Sequence, residues 1–172
     1  MEYLGRKIMR SRWSVPNFST EEQYPIRADA ICDCLRTKQD SLSFWQCNEG
    51  QIEIEEIVLA LAANMDSLET IDVVILPRQD LVTEQFSMKP IEGMTPVRDL
   101  RKRHIDISEL TITKLSQLSK HIANKVRTNT DCHRFTRSQI KDILLKALRR
   151  GRLDLDTLQD RQNSLKSHLK GV

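Results

Sequence analysis

Glycine is scarce in this 172-residue chain, and its five copies stand apart at positions 5, 50, 93, 151 and 171. Neither the G-x-G-x-x-G turn of dinucleotide sites nor a phosphate-cradling P-loop can be written with that spacing. Aromatic residues make up only 5% of the chain, and Phe135 is the single one beyond residue 97. The C-terminal half therefore lacks the ring platforms on which single-stranded bases stack. No apolar run approaches the ~18 residues of a membrane helix, and the first residues, "MEYLGRKIMRSRW", mix charge with apolar side chains and offer no export-signal core. The expectation is a cytosolic protein with no membrane partner, whose four cysteines stay reduced. The four histidines, His104, His121, His133 and His168, fall into no HExxH, Cys-His or Ser-His-Asp pattern. His121 reads as a solvated residue on the polar face of its helix.

What is present is an ordinary folding composition, 39% hydrophobic and 30% charged. A folded chain of this length buries roughly 70% of the surface its unfolded form exposes, enough for one core without a staple. A single domain over 1–172 is expected, with a possible subdivision into an acidic sheet-containing half, 1–93, and a basic helical half, 94–172. Charge supports that division. Residues 1–97 carry nine Lys and Arg against sixteen Asp and Glu, a balance of −7, whereas residues 98–172 carry eighteen against eight, a balance of +10. Such asymmetry means that the halves dock on one another, that copies of the chain associate, or that the basic half meets a polyanion.

Periodicity fills in the elements. "YLGRKIMRSRW" reads as an early strand, "IRADAICDCLRT" as a short helix ending near Thr37, "KQD" as a turn and "SLSFWQC" as a strand. "QIEIEEIVLALAANM" carries Ile54, Ile57, Val58, Leu61 and Met65 on one helical stripe. "TIDVVILP" is a β-branched run suited to a strand buried on both faces. Residues 78–95 read as connection. Thr95 and Pro96 fit the cap and first position of a short helix that turns Val97 and Leu100 inward.

The next helix sets Ile112, Leu115, Leu118, Ile122 and Val126 on one arc, with Asn129 as its stop. In "FTRSQIKDILLKALRRG", Thr136 and Gln139 form a capping box, Phe135 and Ile140 a hydrophobic staple, and Gly151 takes the left-handed terminal position. A final helix from Asp154 places Leu155, Leu158, Gln162, Leu165 and Leu169 on a seam too short for a coiled coil, suited to packing within the chain. The fold class implied is α+β and helix-rich: a small sheet in β-α-β-α-β order with packed helices, followed by the basic helical half.

"CDCLRTKQDSLSFWQC" gathers three cysteines, but Cys32 and Cys34 stand roughly 200° apart around a helix and cannot share an ion without unwinding it. Burial of small hydrophobes is the expected role, and no metal, cofactor or catalytic residue is implied. Two polar groupings remain. Asp29, Asp33, Arg36 and Asp40 surround one helix and turn, either as a charged surface with local ion pairs or as a hydrolytic site. Lys114, His121 and Lys125 project within about 40° on one helix, while Lys141, Arg149 and Arg150 spread over the outer side of the next. Lys114, Lys125, Lys141, Arg149 and Arg150 are the candidate polyanion contacts, although cations near a helix C-terminus also complement its dipole. The functional expectation is a non-enzymatic binding or regulatory module with a protein partner or a second copy of itself. The alternatives are a nucleic-acid-binding accessory protein and, third, an enzyme without a known motif.

Overall fold

β3, Ile71–Pro77, explains the layering of the molecule. Ile71, Val73 and Ile75 point to one face of the sheet and Val74 and Leu76 to the other, and all five are buried. Each such side chain contributes about 1.5–3 kcal/mol on leaving water, so the strand demands cover on both sides. The computed structural model, which describes residues 1–14, 25–159 and 162–170, supplies it with helices on each face of one antiparallel sheet.

The sheet has six strands. β1 (Glu2–Ile8), β2 (Leu42–Asn48), β3, β4 (Ser87–Pro90), β5 (His104–Ser108) and β6 (Cys132–Phe135) lie in the order β4-β5-β2-β1-β3-β6. Mixed α+β architecture is as expected, but the strand-helix order over-simplifies it, and the basic half is not purely helical. β4 falls in the stretch read as connection, and β5 and β6 lie within the basic region. Both edge strands have only four residues, too few to show a period. β5 does alternate, with Ile105 and Ile107 inward. Because strands of the acidic and basic segments interleave in one sheet, the charge boundary is not a structural boundary.

One face carries α3 (Gln51–Ala62), α6 (Arg137–Arg149) and α7 (Asn163–Lys170); the other carries α1 (Arg10–Trp13), α2 (Ala28–Cys34), α4 (Arg78–Thr83) and α5 (Ile112–Thr128). The α6 signals are all realised. Thr136 Oγ1 accepts from Gln139 N at 3.4 Å, and Gln139 Oε1 accepts from Thr136 N at 2.8 Å. Phe135 and Ile140 are buried in the same cluster. Gly151 has φ +65°, and the Gly151 and Arg152 amides bond the Leu148 and Ala147 carbonyls in the Schellman pattern. Asn129 ends α5 with φ 53°.

Other boundaries move. β1 stops at Ile8, and the chain turns through α1, where the reading continued the strand. α2 ends at Cys34, three residues early. Residues 98–103 form a 3-10 helix whose flanking Val97 has no side-chain cap; Thr95 Oγ1 instead accepts from Val97 N at 3.4 Å, while Val97 and Leu100 are buried as expected. Ile112, placed on the core arc, is 88% exposed in the first turn of α5. The final seam is split between a 3-10 turn, Leu155–Thr157, and α7; Leu158, Leu165 and Leu169 pack into the chain's own core. Gln162 is buried with them. Its Nε2 donates to the carbonyls of Ala63 and Met65 at 2.8 and 2.9 Å, which terminates α3 with a side chain 99 residues away.

Candidate functional site

The sheet opens part-way along its two central strands. β1 pairs with β3 along Tyr3–Ile8, but its register with β2 ends at Gly5↔Trp45, while β2 goes on to pair with β5 through Leu42–Trp45. The central strands part at Gly5. A Cβ there would stand 2.3 Å from Ile57 Cδ1, so the Ile57 side chain of α3 packs directly on the Gly5 backbone and would have to turn aside for a larger residue. Beyond the divergence the Arg6 side chain fills the gap. Its Nε and Nη2 donate to the Cys34 carbonyl at 3.0 and 2.7 Å, and Nη1 donates to the Ser43 carbonyl at 2.6 Å. The guanidinium carbon lies 5.4 Å from the centre of the Phe44 ring. Desolvation lowers the Arg6 pKa to about 10, which leaves the group charged at neutral pH.

Two cavities of about 640 and 620 Å³ meet on Arg6, Ser43, Trp45 and Leu61. The first also reaches Asp72, which lies 7% exposed within the apolar β3 run. Arg134 closes on it with Nε to Oδ1 at 2.7 Å and Nη2 to Oδ2 at 3.0 Å, and the Arg10 amide adds a third bond at 3.3 Å. The hydrogen bond to Asp72 raises the Arg134 pKa further above its ordinary value. The second cavity is walled by Ser43, Asp106 and His104. Ser43 Oγ donates to Asp106 Oδ1 at 3.1 Å, while His104 Nδ1 donates to the Ile91 carbonyl at 3.1 Å and its Nε2 stands 3.7 Å from the same carboxylate oxygen. The hydroxyl thus faces a carboxylate and not the imidazole. The Ser-His-Asp order, in which the imidazole faces the hydroxyl, is not what this wall forms.

The predicted residues are spread over the molecule. Asp29 and Asp33 both hold Arg12, at 3.3 and 3.1 Å. Arg36 stands at the mouth of the second cavity, and Asp40 occupies a tight turn with φ 54°, its carbonyl accepting from Leu110 N. The set is therefore an ion-paired helix surface plus two turn residues, and does not converge on one point.

The α5 stripe is engaged internally. Lys125 Nζ lies 2.6 Å from Asp131 Oδ2, and Lys114 Nζ donates to the Glu84 carbonyl and sits over the Phe86 ring at 4.8 Å. His121 is half-buried with Nε2 2.8 Å from Glu84 Oε1, which corrects its reading as solvated. On α6, across the sheet, Arg149 and Arg150 are exposed and Lys141 is partly so, and none has an ion-pair partner among the described residues. Arg152, next to them in sequence, forks instead onto Glu56 at 2.8 Å and Asp99 at 3.1 Å, and its pKa is raised, first by the hydrogen bond to Glu56. With Arg103–Glu53 at 2.8 Å and Arg134–Asp72, it ties the basic segment to the acidic one.

The cysteines separate likewise. Cys34 and Cys47 are buried on opposite faces of the sheet, Cys32 is exposed on α2, and Cys132 is partly buried on β6. Burial pushes the Cys47 thiol up to about 11. Among the described residues, no three His, Cys, Asp or Glu side chains gather as a metal-ion site, and no helix is long and apolar enough to cross a membrane.

The sequence reading missed Arg6, Asp72 and Arg134. Asp72 carried a signal: a carboxylate inside a strand buried on both faces must find a cation or hydrogen-bond donors. Arg6 carried none, since the opening of the sheet that receives it depends on distant pairings. No family model matches the chain, and neither a curated protein nor a solved structure was found to match it.

Proposed function

We propose that the chain is a non-enzymatic binding module of the cytosol, with a regulatory role exerted through contact, and that the outer face of α6 is where it meets an acidic protein surface. The observation that carries this is the contrast between the two basic helices. Lys114 and Lys125 on α5 are held by Glu84, Phe86 and Asp131, whereas Lys141, Lys146, Arg149 and Arg150 on α6 have no carboxylate partner among the described residues. Charge left unpaired on a rigid, well-capped helix is available to a partner and raises association rates. Partly buried Leu145 and Leu148 lie among these cations, and Asp142 interrupts them. A mixed surface of this kind suits a protein patch with an apolar centre and charged rim better than a duplex, which asks for an unbroken row of phosphate contacts. The nucleic-acid reading uses the same four cations and is the alternative.

Paired affinity capture with the parent and a Lys141→Gln, Lys146→Gln, Arg149→Gln, Arg150→Gln variant tests it. With nuclease present, a protein retained by the parent and lost by the variant is expected. Retention that nuclease abolishes transfers the surface to nucleic acid, and identical retention by both forms overturns the assignment.

A further inference from the structure

Arg6 is a cation set into the opening of the sheet, and among the described residues no carboxylate comes within 4 Å of it. Its partners are two backbone carbonyls, those of Cys34 and Ser43. They orient the guanidinium, whose charge complements the C-terminal end of α2, but they do not neutralise it. Three N–H groups make these bonds, and the fork has more to give.

Of the carboxylates that line the two cavities, Asp33 is held by Arg12 and Asp72 by Arg134, and Asp106 accepts from the Ser43 hydroxyl while its charge also favours the Arg6 cation at longer range; Glu69 and Glu92 have no ion-pair partner among the described residues. Both cavities converge on Arg6, and Lys7 lines the first of them as a second cation. The wall they share also carries an apolar part: the partly exposed Leu61 and the edge of the Trp45 indole, which is 8% exposed and set edge-on to His104 with ring centres 5.1 Å apart. Cavities of this volume are of the size that takes small organic ligands, with a few placed polar groups fixing the orientation.

The geometry points to a binding site for a small organic anion, its carboxylate or phosphate on Arg6 and its ring or hydrocarbon against Trp45 and Leu61. The two anion chemistries share the guanidinium, which accepts either as a fork of donors. This site lies in the sheet opening, away from α6, and stands or falls independently of the partner surface assigned there.

Benzoate and phenyl phosphate are the probes, with benzamide as the neutral match and inorganic phosphate as the match without a ring, each titrated up to about 10 mM into the full chain and followed by calorimetry and chemical-shift change; millimolar fragments lie within the range such small ligands reach. The expected result is saturable binding of one or both organic anions, about tenfold or more tighter than benzamide and inorganic phosphate, the tighter of the two identifying the anionic group. Arg6→Gln should abolish it. Since Arg6 also holds α2, a second variant is decisive: Leu61 is partly exposed on the shared wall, and Leu61→Glu should replace the apolar contact by a carboxylate and weaken organic-anion binding at least about tenfold while the fold persists. Absence of binding in the parent, equal affinity for benzamide, or binding unchanged in folded Leu61→Glu protein overturns the proposal.

Discussion

Asp72 and Arg134 are direct cross-strand partners between β3 and β6, joined by two hydrogen bonds of 2.7 and 3.0 Å although 62 residues separate them in sequence. The carboxylate is the buried member, with 9% of its side chain exposed against 54% for the arginine. Removing the arginine leaves a buried acceptor short of donors, which costs about 1–3 kcal/mol. Arg134→Gln should therefore destabilise by an amount in that range, and adding Asp72→Asn should restore part of it. Urea denaturation of the single and double variants reads the difference, and additive losses would remove the coupling.

The α6 cap is a second handle. Thr136→Ala removes the acceptor for the Gln139 amide and should cost ~1 kcal/mol in thermal or urea unfolding. A null result would relocate the start of the helix.

Gln162 offers a sharper test of long-range capping. Gln162→Leu has a similar volume but leaves the Ala63 and Met65 carbonyls without their side-chain donor, so a loss of about 1–3 kcal/mol is expected. A neutral change would show that the end of α3 does not depend on it.

Cys47 predicts an alkaline limb in stability. Its folded pKa is about 11 against an ordinary value of 9.0, because burial disfavours the thiolate. Below pH 9 both states keep the proton and nothing changes. Between pH 9 and 11 the unfolded chain ionises first, so the unfolded state is favoured and stability falls as pH rises. The gap in unfolding free energy between the parent and Cys47→Ala should shrink across that window, and a gap constant with pH would place the thiol in contact with solvent.

The basic helices should respond unequally to neutralisation. Lys114→Gln with Lys125→Gln removes a cation-ring contact and the Asp131 pair and should destabilise by about 1 kcal/mol, whereas Lys141→Gln with Arg149→Gln should stay within about 0.5 kcal/mol. Equal effects in the two pairs would mean that both surfaces are merely solvated.

What the sequence by itself determined were features whose cause lies within a few residues. The Thr136–Gln139 box, Gly151 and Asn129 were legible because a helix end is settled by its own turn, and the β3 run because β-branched residues on both faces require burial wherever the strand lies. Of the candidate sites, the cations of α6 were legible as outward-facing by angle alone. The tertiary structure decided the rest. The edge strands β4 and β6 form because neighbours offer unpaired backbone, and their four residues carry too little pattern to announce it. Whether a cation is free or held depends on which carboxylate arrives from afar: Arg152 meets Glu56 across 96 residues, while Arg149 and Arg150 beside it meet none among those described. The same holds for Arg6, whose setting exists only because β2 leaves β1 at Gly5 to follow β5, a choice made by pairing between strands and not by any residue near Arg6.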